Sequence, residues 1–531
     1  MSKSRASGER DVGRSPRILH VARTLGRVLG RLIVFLLVWV GLALLTAAVL
    51  IRIFWGQITV GQLLLNLVSV ETAGGGGSVV WICILGIGVA PLLITAGLAL
   101  WQARRRRRRS QNADESLPQR PPWIARTASA VLAFTVVIGG TASFAGAVSL
   151  GDYLEGASSR YELDDYYVEP TVTGDEDRRN LVLIYLESGE ATLGDEKLFE
   201  KDIFAPLEEV TRAEDGWQTV EGLRQYEGGG WTMAGLTSTQ CGVPLGGLIS
   251  AASSVDLNEL RVGDETYLAG TTCLGDVLEE RGYTSVFLGG ANPSFAAKDS
   301  LLSSHGYSEV KGLSDWIEAG EPKSSFRSDW GLSDERLMAH AKEELDALHA
   351  EAERTGEPFN LSVLTLDTHE PVHVHDYCPV DTEDEATSVF GCSMKQVAGF
   401  VDHMEKQGHL EDTAVVIMGD HLKPADAGDA FHAELDANGD RTIFNRIWVP
   451  GEKTDRELRA GVDQLSMYPT ILEAAGLTLE DGEAGVGVSA FATEVPAGSA
   501  QSLAPEDYTE LLKSRSAEFY AEAWTGHAAA E

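Results

Sequence analysis

Cysteine is scarce in this chain. There are five in 531 residues and none in a C-x-x-C pair, so no cysteine-rich zinc pattern is present. No internal repeat is evident. Basic residues are scarce beyond position 150. Residues 1–150 carry 17 Lys and Arg against 5 Asp and Glu, whereas residues 151–531 carry 26 against 74, a net charge of −48. A surface so negative favours solubility and repels polyanions, which argues against nucleic acid as a partner. Charge itself is missing from three long runs in the first part.

The first run, 32–51, holds twenty residues without a charge, about the length that spans a bilayer as a helix. A second covers 79–101 and includes Pro91, which membrane helices tolerate. A third, 127–150, is rich in Ala, Gly, Ser and Thr. Two further runs and the lack of a cleavage context set aside a signal peptide, so 1–150 reads as a membrane anchor of three transmembrane helices. Arg14, Arg17, Arg23, Arg27 and Arg31 precede the first run. The arginine block 104–109, with Arg120 and Arg126, lies between the second and third. The positive-inside rule places both basic segments in the cytoplasm and everything after about residue 151 outside. The arginine block is therefore read as a topology signal rather than a nucleic-acid patch. An external compartment favours disulfides: Cys378 and Cys392 are candidates, Cys241 and Cys273 could form a second bridge, and Cys83 lies in a span.

Residues 151–179 are acidic and Tyr-rich without apolar periodicity and read as a linker. From 180 onwards helix-like segments alternate with short apolar runs: 274–281 before 285–288, 332–350 before 361–366, 394–407 before 414–418. Another covering helix is expected at 465–475. This alternation predicts an α/β domain over 180–490, a mostly parallel sheet sandwiched by helices. Residues 491–531 read as an acidic tail.

Three apolar runs end on groups that bind cations or handle phosphates: 181–188 (LVLIYLES), 361–369 (LSVLTLDTH) and 414–421 (AVVIMGDH). Ligands of open α/β sheets sit beyond the carboxyl ends of the strands. Glu187, His369, Asp420 and His421 can therefore meet although they are spread over more than 230 positions. Carboxylates suit a hard divalent cation. His369 suits a phosphate oxygen or proton transfer. His373 and His375 could suggest a histidine metal site, but they run on into an acidic loop. A glycine turn, 228–230, precedes Thr232. At a helix N-terminus a hydroxyl meets exposed N–H groups that favour an anion, although an ordinary N-cap explains a Thr there equally well.

The segments LVLIYLES, GGGWTMAGLTSTQCGVPL, CLGDVLEERGYTSVFLGG, SDWGLSDE, FNLSVLTLDTHEP and VVIMGDHL follow one another over 180–423. As an ordered set they resemble the phosphoglycerol transferases that decorate periplasmic glucans and, more distantly, the lipoteichoic acid synthases, both in the alkaline phosphatase/sulfatase superfamily. The resemblance implies an alkaline-phosphatase-like fold with Thr232 as nucleophile. It implies one divalent cation, manganese with magnesium or zinc as alternatives, held by Glu187, Asp420, His421 and the Thr232 oxygen. His369, Trp330 and Arg327 would contact substrate. The implied reaction moves glycerophosphate from phosphatidylglycerol to a cell-envelope glycan through a covalent Thr232 intermediate, on the outer side of a bacterial cell membrane. The oligomeric state is left open.

The chain also departs from its relatives. A sulfatase would carry Cys or Ser in a C/S-x-P-x-R signature, which the Cys241-Gly-Val-Pro-Leu segment does not match. Additional ligands for a two-metal phosphatase cannot be placed, and three spans are fewer than a typical lipoteichoic acid synthase has. The alternatives are a phosphoethanolamine transferase, a phosphodiesterase or a sulfatase of the same superfamily. An acidic surface protein without catalysis is a further one.

Overall fold

The computed structural model describes residues 16–54, 81–111, 122–246, 267–327, 330–425, 429–451 and 457–526, with isolated positions between 56 and 63. The chain divides into two compact units, Met1–Leu50 with Trp81–Gly146, and Ile51–Val80 with Ala147–Glu531.

The N-terminal helices are α1 (Pro16–Phe54), α2 (Ala90–Gln111) and α3 (Pro122–Ala147). Among the described residues, three helical stretches are long and apolar enough to cross a membrane: Val28–Ile53, Trp81–Arg105 and Ala130–Ala147, with mean hydropathies of 2.8, 2.3 and 1.8. The expected spans overlap these stretches; the third was expected to reach 150, but its helix ends at Ala147, and Val79 and Val80 of the second lie outside the described residues. A β-carbon at Gly140 would overlap the Gly41 carbonyl oxygen. α1 and α3 thus cross at paired glycines, the small-residue contact that lets apolar helices approach closely.

The second unit is built on β1 (Asn180–Leu186), β2 (Thr284–Gly289), β3 (Tyr307–Lys311), β4 (Phe359–Leu364), β5 (Thr413–Gly419) and β6 (Asn445–Trp448). Their order in the sheet is β3-β2-β4-β1-β5-β6. The first five run parallel, and β6 closes one edge antiparallel to β5. Every residue of β1, β4 and β5 is buried, which explains their unbroken apolar runs. Leu181, Leu183 and Tyr185 face one core and Val182, Ile184 and Leu186 the other. The covering helices are α4 (Thr232–Cys241), α5 (Leu274–Glu279), α6 (Asp334–Thr355), α7 (Glu385–Gln407) and α8 (Gln464–Ala474). α4, α5 and α8 bury side chains in the first core, α6 and α7 in the second.

Two helices begin away from their expected positions. α6 starts at Asp334, not 332, because Leu332 pairs with Phe326 in a small antiparallel ribbon. α7 starts at Glu385, nine residues before the expected 394, because the Asp384 carboxylate accepts the Ala386 N–H at 2.9 Å and caps it there. The antiparallel β6 was not anticipated.

Neither the linker nor the tail is free of the core. In 491–531, α9 (Pro505–Lys513) and α10 (Ala517–Thr525) bury Leu511, Leu512, Phe519, Tyr520 and Trp524 in the same apolar core as Leu181. Their acidic residues Glu506, Glu518 and Glu522 are exposed. Averaged composition hides this two-faced pattern, which only the helical period reveals. In 151–179, Leu163 is fully buried, Val168 bridges Gly485, and Val172–Gly174 pairs antiparallel with Thr478–Leu479. Isolated apolar anchors and backbone pairing hold this segment, and neither leaves a periodic signature. Two disulfides join Cys241 to Cys273 and Cys378 to Cys392.

Candidate active site

β1 is the strand that β4 and β5 flank, so the three carboxyl ends lie side by side. Leu186 is in register with Gly419, which places Glu187 next to Asp420. A β-carbon on Gly189 would lie 2.7 Å from Gly419 Cα, and one on Gly419 would overlap the Gly189 carbonyl oxygen. These two glycines let the turns after β1 and β5 approach. Ser188 between them takes a left-handed φ of 57°. Its N–H donates to Asp420 Oδ1 at 2.9 Å and its hydroxyl to Glu187 Oε1 at 2.8 Å. A non-glycine residue held in this conformation by its surroundings is typical of functional turns. β4 is laced to the same place: Thr365 Oγ1 accepts the Glu187 N–H at 2.9 Å, and the Thr368 hydroxyl donates to the Glu187 carbonyl at 2.6 Å.

Glu187, Asp420 and His421 are buried and offer ligand atoms that all lie within 4.8 Å of one another. His421 Nε2 is 3.6 Å from Glu187 Oε1 and 3.5 Å from Asp420 Oδ2. Its Nδ1 lies 2.7 Å from the Leu422 carbonyl oxygen. That carbonyl takes a proton on Nδ1 and so turns Nε2 toward the carboxylates. Burial works against a charged ring, but the Asp420 and Glu187 charges raise its pKa. With a cation between them Nε2 would be a ligand, as in metal-ligating histidines. Asp420 Oδ1 accepts two backbone N–H groups, from Ser188 at 2.9 Å and His421 at 2.8 Å. Asp420 Oδ2 is buried and accepts none. Burial pushes the Asp420 carboxyl up to about 7, and the Glu187 charge adds to it. Burial works the same way on Glu187, but His369, His421 and the Ser188 and Thr232 hydroxyls hold it below the ordinary carboxylate range. Two buried carboxylates, an imidazole nitrogen and an orphaned oxygen fit a divalent cation.

Thr232 is the first residue of α4, after a turn in which Gly228 has φ 99°. Trp231 occupies the N-cap position. The Thr232 hydroxyl donates to Glu187 Oε2 at 3.3 Å, so it points into the carboxylate cluster rather than capping its own helix. A β-carbon on Gly235, one turn on, would overlap the Asp420 carbonyl oxygen. That same oxygen accepts Gln464 Nε2 at 2.6 Å, while Gln464 Oε1 accepts the Tyr226 N–H at 3.2 Å. Gln225 Oε1 accepts the Leu422 N–H at 2.8 Å. The glycine turn and the β5 end are thus clamped together by two glutamines.

His369, Trp330 and Arg327 form one wall. The Trp330 and His369 rings lie 4.2 Å apart, and Arg327 donates to the His369 carbonyl at 2.8 Å. Arg327 is buried rather than solvated. Ser328 and Asp329 lie outside the described residues. His369 Nδ1 is 2.6 Å from the Glu370 carbonyl oxygen. Burial lowers its pKa, so at neutral pH His369 presents an unprotonated Nε2. His375 turns elsewhere, its Nε2 3.1 Å from Asp367.

Lys298, which no sequence pattern marks, is nearly fully buried; its ammonium donates to the Phe295 carbonyl at 2.9 Å and lies over the ring of Phe295, the partner of Trp330. Burial lowers its ammonium to about 8, against the pull of Glu187, Asp299 and Asp420. A positive charge within the field of both cluster carboxylates supplies what a phosphate needs.

A family model described as Sulfatase matches residues 180–477. The chain belongs to the sulfatase family. Its sulfatase domain has no C/S-x-P-x-R nucleophile, and Cys241 is consumed by the bridge to Cys273; the hydroxyls at the cluster are those of Thr232, at the head of α4, and Ser188. The chain is 32% identical to phosphoglycerol transferase I of Xanthomonas campestris pv. campestris over 328 residues, 60% of this chain and 43% of the relative. It is 32% identical to phosphoglycerol transferase I of Salmonella arizonae over 269 residues, 48% of this chain and 32% of the relative. The chain thus spans less than half the length of these relatives. Among solved structures, the lipoteichoic acid synthase LtaP of Listeria monocytogenes is 16% identical with a TM-score of 0.44, over 65% of this chain and 80% of that one.

Proposed function

We propose that this sulfatase-family chain is a membrane-anchored phosphoglycerol transferase that moves glycerophosphate from phosphatidylglycerol to a cell-envelope glycan through a covalent Thr232 intermediate. The observation that carries the reading is the Thr232 hydroxyl aimed at Glu187 Oε2, 3.3 Å away, at the mouth of the carboxylate–imidazole cluster. The names and identities of the relatives support the choice of headgroup. The apolar helices and their arginine flanks support a multi-pass anchor with the domain outside a bacterial membrane, and the two disulfides agree with an oxidising compartment.

A cation held by Glu187, Asp420 and His421, manganese in this reading, would supply positive charge at the Thr232 oxygen and the phosphoryl group. Thr232 Oγ1 attacks phosphorus, and its proton leaves towards Glu187 Oε2. The bond from phosphorus to the diacylglycerol oxygen breaks, that oxygen takes up a proton from water, and diacylglycerol departs. In the second step His369 Nε2 takes the proton of an acceptor hydroxyl, which displaces Thr232; the Thr232 oxygen recovers its proton from Glu187, and His369 releases the one it took to water. Lys298 and Arg327 hold charge against the phosphoryl oxygens, and Trp330 packs on the glycerol. Mass spectrometry of the full chain after exposure to phosphatidylglycerol or phosphatidylethanolamine tests this. A glycerophosphate adduct on Thr232 from the first lipid is expected. An adduct from the second alone would make the chain a phosphoethanolamine transferase.

Lys298 gives the reaction a pH dependence. Its ammonium is charged below about 8 and neutral above, so kcat/KM should fall as pH rises through that value. Lys298→Arg should move the alkaline limb upward. Lys298→Met should cost about 10- to 100-fold at neutral pH, the worth of one charge-assisted hydrogen bond. An unchanged limb in Lys298→Arg would remove the residue from the phosphate site.

A further inference from the structure

At the other end of β5, histidines and aspartates gather where α6, α7 and the turn His409–Glu411 meet. His403 lies one turn before the end of α7, and His409 follows Gly408, whose φ of 83° turns the chain back. Both histidines place Nε2 2.8 Å from the same oxygen, Oδ1 of Asp346 on α6. One ligand atom from each of the three lies within 4.8 Å of the other two. His349, one turn along α6, sets its ring 4.2 Å from that of His409 and its Nε2 3.0 Å from Asp412. Exposure is graded across the group, with side chains 9% accessible at His409, 22% at His403 and 48% at Asp346. The corner is walled on one side and open to water on the other.

We infer that Asp346, His403 and His409 form a second metal site, for a divalent transition-metal ion of which zinc is the best match. Two imidazole nitrogens and one carboxylate oxygen are the donors of zinc and its neighbours, whereas magnesium and calcium take oxygen almost exclusively. Ligand atoms of a tetrahedral zinc site stand roughly 3.3 Å apart at metal–ligand distances of about 2.0–2.1 Å. The two 2.8 Å contacts therefore need to open by only about 0.5 Å to admit the ion, and the open side leaves the fourth position to water. Asp346 adds a carboxylate to a domain already strongly negative, which favours a cation there. The site is distinct from the Thr232 cluster: seven residues of β5 separate the two, about 23 Å of strand. Bound there, the ion ties α6 and α7 to the entry of the strand whose far end carries Asp420 and His421.

The test counts metal on the full chain in detergent, stripped and then dialysed against Zn2+. The wild type should hold two ions and His403→Gln one. In the Asp420→Asn chain, Co2+ should still give the visible absorption of a tetrahedral site, displaced by Zn2+. Adding His403→Gln to that chain should weaken binding by about 100-fold or more. His403 is partly exposed, so its replacement does not threaten folding, and Asp346→Asn provides an independent near-isosteric check. An unchanged zinc count in His403→Gln, or no Co2+ absorption in the Asp420→Asn chain, overturns the proposal.

Discussion

Thr232→Ala is expected to abolish glycerophosphate transfer, lowering turnover by about 10,000-fold or more, the scale seen when a covalent nucleophile is removed. The substitution deletes one hydroxyl and one methyl from a half-buried position at the first residue of α4, where alanine is a good helix former. Folding should be preserved. The Glu187–Asp420–His421 cluster keeps all of its ligand atoms, so metal binding should also persist, weakened only by the lost Thr232 oxygen. Steady-state transfer, metal content and thermal melting of one preparation separate these effects. Thr232→Ser keeps the oxygen and should retain part of the activity, at a cost from the freer rotamer. Full turnover in Thr232→Ala, with the ion still bound, would move the nucleophile elsewhere and leave the cluster as a cation site without covalent chemistry.

The expected loss depends on two kinds of information that the sequence holds unequally. The strand ends were legible because a fully buried parallel strand is a short apolar run, and ligands of open α/β sheets sit beyond the carboxyl ends of such strands. Glu187, Asp420 and His421 each follow such a run, and the order β4-β1-β5 brings them together. The clamps were not legible. Gln464 and Gln225 act through backbone atoms of Asp420 and Leu422, and nothing local distinguishes them from other glutamines. Lys298 follows two alanines at the start of a short helix, and its meaning comes entirely from burial beside carboxylates more than a hundred residues away. The acidic C-terminal residues misled for the opposite reason: their exposed faces dominate the composition, while Phe519, Tyr520 and Trp524 fill the core.

Gly235→Ala sets local preference against tertiary packing. Within a helix, alanine is favoured over glycine by about 1 kcal/mol, and 232–241 taken alone should become more helical. In the folded chain, the new β-carbon overlaps the carbonyl oxygen of Asp420, a backbone atom already fixed by Gln464 and by the register of β5. Neither side can rotate away. α4 must lift from the end of β5, carrying Thr232 with it. Overpacking of this kind costs about 1–3 kcal/mol, enough to cancel the propensity gain and leave a net loss. A displacement near 1 Å at the nucleophile costs about 100-fold in rate, so kcat should fall by at least that factor with KM little changed. Thermal melting, metal content and transfer kinetics on one preparation provide the check. A variant that is more stable and fully active would mean that α4 does not need its close seat on Asp420, and that Thr232 reaches the carboxylate cluster by some other support.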